Sequence, residues 1–299
     1  MKRISNKNVV SFSFILSLFL FSLYSSAEES LEPQSSQPES SQPEWLKRIE
    51  TSVQVETDQK PRIYFQTVQP LYQDEGKENT VFIQPRMSQQ DNVYTYNVGF
   101  GYRKLASENL LLGMNVFGDY RKQNSHGRTG IGLEALGQVL EGRFNSYIGV
   151  TEQREVLQAS GSTTLERVPN GFDYELGTAI PYMPWLKAYG SGFWYDFNNS
   201  RNINGWKSRF EARLNDSLRL EFFTWDDNKG DQEFGSRLRF NLAFNVFADI
   251  LGAFKFSQEP FPKKDLREEM LLPVERHHEI VVEKFIRTSA GLTIEAGRS

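Results

Sequence analysis

The chain has 299 residues, 34 Lys+Arg against 38 Asp+Glu, a formal charge of -4 and no cysteine; its mean hydropathy is -0.52. The missing cysteines exclude disulfides, thiolate metal sites and a cysteine nucleophile. The low hydropathy excludes a bundle of membrane helices, and the weak acidity argues against a nucleic-acid binder, which shows a basic stripe. Against this polar average stand 23 Phe, 12 Tyr and 5 Trp, in a length that allows one large domain or two ordinary ones.

At the N-terminus Lys2, Arg3 and Lys7 precede an apolar stretch from Val9 to Tyr24, and Ser25-Ser26-Ala27 closes it with the small residues that signal peptidase reads. Residues 1–27 are therefore expected to be a signal peptide cleaved after Ala27, the alternative being an uncleaved membrane anchor. Cleavage removes three positive charges and moves the formal charge from -4 to -7. Residues 28–49 open with the run EESLEPQSSQPESSQPE, which has almost no apolar surface to bury and predicts a disordered linker.

From residue 50 to residue 245 apolar and polar residues alternate with period two, which puts successive side chains on opposite faces of a strand. Tyr94, Tyr96, Val98, Phe100 and Tyr102 oppose Thr95, Asn97, Gly99, Gly101 and Arg103; Phe234, Ser236, Leu238 and Phe240 oppose Gly235, Arg237, Arg239 and Asn241. Strands are predicted at 50–57, 61–70, 80–88, 92–104, 110–122, 128–137, 143–154, 171–180, 186–197, 205–214, 217–226 and 233–245. Pro70, Pro85 and Pro181 fall in or beside them, which is tolerable at ends, edges or bulges.

Alternating strands fit a soluble sandwich or lipocalin with its apolar face inward, or an outer-membrane barrel with an apolar band toward lipid and a polar lumen. The dense charges on one face, the Tyr and Trp flanking the other, the leader and the alternation of short and longer joins (the longest at 155–170) favour the barrel. The expected fold is all-β, a twelve-stranded antiparallel transmembrane barrel, with 246–299 as a post-barrel plug or linker.

The motifs of the fourth to eighth predicted strands resemble the inverse autotransporter β-domain, the translocator of the intimin and invasin adhesins. They are Gly99-x-Gly101-x-Arg103, Gly113-Met114-Asn115-Val116-Phe117-x-Asp119, Arg128-x-Gly130-x-Gly132-x-Glu134 and Pro169-Asn170-Gly171-Phe172. Val274-x-Arg276 and Ile280-Val281-Val282-Glu283 resemble the segment that follows the barrel. The resemblance implies a barrel with a periplasmic N-terminus, inserted by the barrel-assembly machinery with periplasmic chaperones, and a helix and linker that thread the pore toward an exported passenger. Only 14 residues follow Phe285, so no immunoglobulin-like passenger is expected and adhesion to a host receptor is left open. A stand-alone porin and a soluble periplasmic lipid-binding barrel are the alternatives.

Lys207, Arg209, Arg213, Arg219, Arg237 and Arg239, with Glu211 and Glu221 among them, form a charge ladder on one face of the last three strands. It either lines a pore or holds an acidic C-terminal plug, or it satisfies itself by cross-strand ion pairs. Asp119, Glu134, Asp173 and Glu175 are the candidate acidic counterparts. Leu266 to Leu272 predicts a short helix ended by Pro273, either in the lumen or in a periplasmic tail. Adjacent His277 and His278 make a poor metal pair, and His126 has no evident base–orienter partner, so no metal, cofactor or catalytic role is expected. Outer-membrane lipid is the expected surroundings and nucleic acid is not a partner.

Overall fold

The computed structural model describes residues 43–159, 161–215, 217–241, 254–288 and 293–295, all within one compact unit, Pro43–Ser299. The expected signal peptide, the linker up to Gln42 and the stretch 242–253 lie outside the described residues. The described chain opens with one helical turn, α1 (Glu44–Lys47), where linker was expected; Glu44 pairs there with Lys47 and Arg48. The strands follow in order: β1 (Ile49–Glu56), β2 (Arg62–Thr67), β3 (Gln69–Gln73), β4 (Asn79–Gln90), β5 (Val93–Ser107), β6 (Leu110–Arg121), β7 (His126–Gly137), β8 (Leu140–Gly149), β9 (Arg154–Ala159), β10 (Ser162–Arg167), β11 (Asn170–Ile180), β12 (Met183–Asp196), β13 (Ile203–Arg213), β14 (Leu218–Asp227), β15 (Glu233–Asn241), β16 (Glu283–Thr288) and β17 (Thr293–Glu295).

Each wall strand is antiparallel to its neighbour, and β1 pairs with both β2 and β15, so the sheet closes on itself. β2 and β3 both pair with β4 and together make one wall strand. The break between them lies where β4 carries Pro85, which has no N–H to donate, and the register shifts again between Pro70 and Tyr72. Counted this way the barrel has twelve strands, as the alternation predicted. No helix among the described residues is long and apolar enough to cross a membrane, which says nothing of crossing by strands.

Burial follows the pleat. On β5 the side chains of Thr95, Asn97 and Arg103 are buried in the lumen, while Tyr96, Val98, Phe100 and Tyr102 are exposed outside. A lipid-facing apolar band costs nothing in hydrocarbon, and closure leaves no unpaired strand edge there. One mouth carries tight joins, such as those at 108–109, 138–139 and 181–182; the other carries the longer ones, such as 57–61, 197–202 and 228–232. A tight exception at the long-loop mouth is Asp91–Asn92, where both residues take positive φ, the backbone of a two-residue hairpin turn.

The largest departure from expectation is at 143–169. The seventh predicted strand stops at Gly149, and the expected loop folds as the β9–β10 hairpin. The hairpin joins β16 and β17 in a second, four-stranded sheet of order β17-β16-β10-β9. Its polar threonines and glutamates carry no period-two apolar signal, because the sheet draws its order from a strand more than a hundred residues away.

The inward glycines are seats for large side chains. Phe117 faces Gly99 on β5 and Gly130 on β7 in register, and a Cβ on Gly99 would fall inside the Phe117 ring. Gly101 seats Phe82 and Gly171 seats Tyr195 in the same way. Overpacking of this kind costs ~1–3 kcal/mol. Gly99→Leu is therefore expected to lower the urea midpoint of the heat-modifiable folded band. Gly118→Ala, which adds its methyl to open space on the outer face, is expected to leave that midpoint unchanged.

Candidate functional site: the lumen and its thread

Residues 262–282 run from the short-turn mouth through the barrel to the long-loop mouth. At the entry Tyr182 N donates to Pro260 O and Ser257 N to Tyr182 O (2.8 and 2.9 Å), holding the approach against the β11–β12 turn. The Gln138 side chain then both accepts from Lys264 N and donates to Lys264 O, each at 3.0 Å. Leu266–Glu269 forms one 3-10 turn capped by Asp265, not the expected helix through Leu272, and Pro273 bars its continuation. Beyond it, among the described residues, the chain runs through turns and bends with no helix or strand until β16.

Wall side chains supply what a neighbouring strand would have supplied. Arg103, buried in the lumen, donates to the carbonyls of Glu269, Met270 and Leu272 at 3.1, 3.1 and 2.6 Å, while its other nitrogens hold Glu134 in a two-pronged pair at 2.6 and 3.2 Å. Val274 N donates to Gln84 Oε1 (2.9 Å) and Asn145 Nδ2 donates to Glu275 O (3.3 Å). Arg128 donates to the carbonyls of His277, His278 and Glu279, Asn97 donates to His278 O, and His277 N donates to Tyr147 Oη. Tyr147 Oη is itself hydrogen-bonded to Asp173.

The thread's charges fall on matching wall charges. Asp119 takes Arg276 through both oxygens at 2.8 Å and Arg128 at 2.8 Å, with Asn97 as a further donor. Arg276 lies over the rings of Phe117 and Tyr147 at 4.4 and 5.1 Å. Glu275 accepts from Arg239 (2.5 Å), and Glu279 accepts from Arg86 and Ser88 (3.1 and 2.9 Å). Apolar residues of the thread complete the lumen core: Val274 packs with Val68, Phe82 and Phe117; Leu266 and Met270 pack with Leu111 and Leu136; Ile280 and Val282 pack with Val168.

The inward motif residues of β5 to β7 are thus brought together as the thread's cradle, while Met114 and Val116 face outward. Gly132 leaves room between Asn115 and Asn145. From the later motif, Gly171 seats Tyr195 inside and Asn170 accepts from Gly149 N, while Phe172 points outward between Phe144 and Trp194 and takes no part in the lumen. Pro169 joins β10 to β11.

The ladder divides. Arg209 binds Glu175 and Glu211, Arg237 and Arg239 bind Glu221, and Lys207 lies over the Phe223 ring at 4.2 Å. Of the acidic candidates, Glu175 answers the ladder, whereas Glu134, Asp119 and Asp173 serve Arg103, Arg128 with Arg276, and Tyr147. Arg213 and Arg219 lie at the short-turn mouth, opposite one another in register. Residues outside the motifs and the ladder do much of the holding beside Arg103: Arg86, Gln84, Asn97, Asn145 and Tyr147. Their signal was present, since all are polar or amphipathic residues on inward positions, but a charge count on three strands passed over it.

At the long-loop mouth Glu283 is fully buried and accepts from Asn198 N, Asn199 N and Arg167. His126, for which the sequence offered no evident partner, meets Glu166 of the hairpin through Nε2 at 2.8 Å, and Asn124 donates to the same oxygen. Burial pushes the Glu166 carboxyl up, but the hydrogen bonds from His126 and Asn124 outweigh it and hold the group below the ordinary carboxylate range. No group of three or more candidate metal ligands occurs among the described residues.

Comparison with known proteins agrees with this geometry. Residues 25–211 match the model of the inverse autotransporter β-domain. An attaching and effacing protein homolog of Escherichia coli (strain K12) is 27% identical over 147 residues, 48% of this chain and 49% of that protein, so the match spans about half of the relative. A solved structure from "Unveiling the Mechanism Behind the in-meso Crystallization of Membrane Proteins" superposes with a TM-score of 0.61 at 19% identity, covering 79% of this chain and 99% of that one, a likeness of fold alone. The KdgM porin gives a TM-score of 0.46 at 4% identity over 64% of this chain and 97% of that one.

Two outcomes follow. Arg103→Ala leaves Glu134 buried without its partner, a loss of ~3–5 kcal/mol for a buried pair, and is expected to make the 262–282 segment cleavable by added protease while the barrel band persists on a gel. Because Glu166 has a lowered pKa, its contribution is present above the ordinary carboxylate pKa and is lost as pH falls through the lowered value. Protease protection of the β9–β10 hairpin should fall over that acidic window, and Glu166→Gln should remove the dependence.

Proposed function

The chain belongs to the inverse autotransporter β-domain family, and on that footing we propose that it is a translocator pore of the outer membrane, closed by its own C-terminal segment. The observation that carries this reading is the course of residues 262–288: in at the short-turn mouth, through the lumen, and out at the long-loop mouth as β16 paired with β10. A chain fixed along the whole lumen is what a pore that has passed a polypeptide would hold.

The orientation follows from the loops. Outer-membrane barrels keep short turns on the periplasmic side and longer loops outside, so the thread runs outward and anything C-terminal to β16 is presented at the cell surface. The homologous attaching and effacing protein is named for attachment; for this chain the corresponding reading is display at that surface. Export by residues 1–27, with cleavage after Ala27, and insertion from the periplasm by chaperones and the barrel-assembly machinery complete the proposal. The porin reading requires an open lumen, and the thread disfavours it.

Purified protein in planar bilayers is expected to show little conductance, and a chain truncated before Leu266 a several-fold larger one. Equal conductance from the two would sink the closed-pore reading. A protease site inserted after Thr288 should be cut on intact cells; protection there with cutting after outer-membrane permeabilisation would reverse the orientation.

A further inference from the structure

Two cavities flank the thread near the short-turn mouth, and their charge differs. The inner one, ≈ 30 Å³, is balanced: five cationic and five acidic side chains line it, and apart from Arg219 its cations are paired with lining carboxylates or others beside it, as Arg103 is with Glu134 and Arg209 with Glu211. The outer one, ≈ 270 Å³, is not. Among the described residues, Lys47, Arg48, Lys77, Arg213, Arg219 and Arg267 line it against Glu50 and Glu268. Glu50 is already engaged by Tyr64 and Gln66.

Carboxylates outside the cavity answer some of this charge: Glu44 serves Lys47 and Arg48, and Glu78 and Asp265 serve Arg267. Arg219 is different. It lines both cavities and sits in register between Arg213 on β13 and Arg239 on β15. Like charges directly opposed across a sheet are unfavourable. Arg239 is neutralised by Glu221 and Glu275, but among the described residues Arg219 makes no hydrogen bond or ion pair.

We propose that this outer cavity is an anion site at the periplasmic mouth, taking a small oxyanion of two or more charges, phosphate- or carboxylate-borne, with Arg219 as its central ligand and Lys77 at its rim. The volume suits such an ion and excludes a folded partner. Leu271, Leu272 and Pro273 of the thread form one wall, so a bound anion neutralises the arginine row beside the point where the chain enters the lumen. Its periplasmic placement rests on the proposed orientation of the barrel, whereas anion binding itself does not depend on whether the pore is closed.

The test is calorimetric titration of the purified full chain in zwitterionic detergent with inorganic pyrophosphate and, separately, citrate. Saturable binding of at least one ion is expected, weakened by added salt and reduced about tenfold or more in Arg219→Ala, the scale of one lost hydrogen bond to a charged group. Which titrant binds more tightly distinguishes phosphate from carboxylate chemistry. Lys77→Ala, at the exposed rim, should weaken binding less and guards against a fold defect in the first variant; a heat-modifiability gel reports folding of both. Absence of saturable binding by either ion, or equal affinity in wild type and folded Arg219→Ala, overturns the proposal.

Discussion

A chain threaded through a barrel without helix or strand has a backbone it cannot satisfy by itself. In a helix or sheet each N–H and C=O has a partner within the element; from Pro273 to Val282 the thread makes no backbone–backbone hydrogen bond among the described residues. Buried backbone groups left unpaired are costly, so the lumen wall has to present donors and acceptors at the spacing of the thread. Arg103, Arg128, Asn97 and Asn145 donate to its carbonyls, and Gln84 and Tyr147 accept from its amides. The polar inner faces of β4 to β8 follow from this requirement. So do the glycines, because long side chains that converge on one axial chain need neighbours that occupy no volume.

The ion pairs do a different kind of work. Bringing a charge into the lumen has a desolvation cost that its partner often only balances, so a buried pair is weak evidence of stability. What it does impose is position. Glu275, Arg276 and Glu279 point to Arg239, Asp119 and Arg86 on different parts of the wall. A slip of the thread by one residue would leave three buried charges unmatched at once. Asp119 makes the coupling tightest, because its Oδ2 accepts from both the wall's Arg128 and the thread's Arg276.

What the sequence disclosed follows the range of the interactions. Period-two alternation is local, and twelve wall strands were legible from it, down to the discordant Pro85, whose missing donor coincides with the gap between β2 and β3. The lumen was legible only as a set of inward faces. That Gly99 seats Phe117, or that Arg103 closes on the carbonyls around Met270, depends on contacts between residues 18 and 167 positions apart. The ladder on β13 to β15 was found because its charges are conspicuous; within it Arg209 meets Glu211 and Arg237 and Arg239 meet Glu221, while Arg239 also reaches Glu275 of the thread. The helix expected at Leu266–Leu272 failed for a stated reason: Pro273 and the demands of Arg103 leave one 3-10 turn.

The same constraint explains why the thread changes character at Glu283. Inside the lumen its backbone is served by side chains; at the long-loop mouth the wall ends and that supply ends with it. The chain must then find a ladder or meet water. The β9–β10 hairpin provides the ladder, with Ser162 to Arg167 paired to Thr288 to Glu283, and the hairpin itself is held to the barrel rim through Glu166, His126 and Asn124. Glu283 marks the changeover, its carboxylate taking the amides of Asn198 and Asn199 and the Arg167 guanidinium. The segment that looked like the least structured loop in the sequence is therefore the element that receives the emerging chain, and its lack of an apolar pattern reflects that its partner is a backbone and not a core.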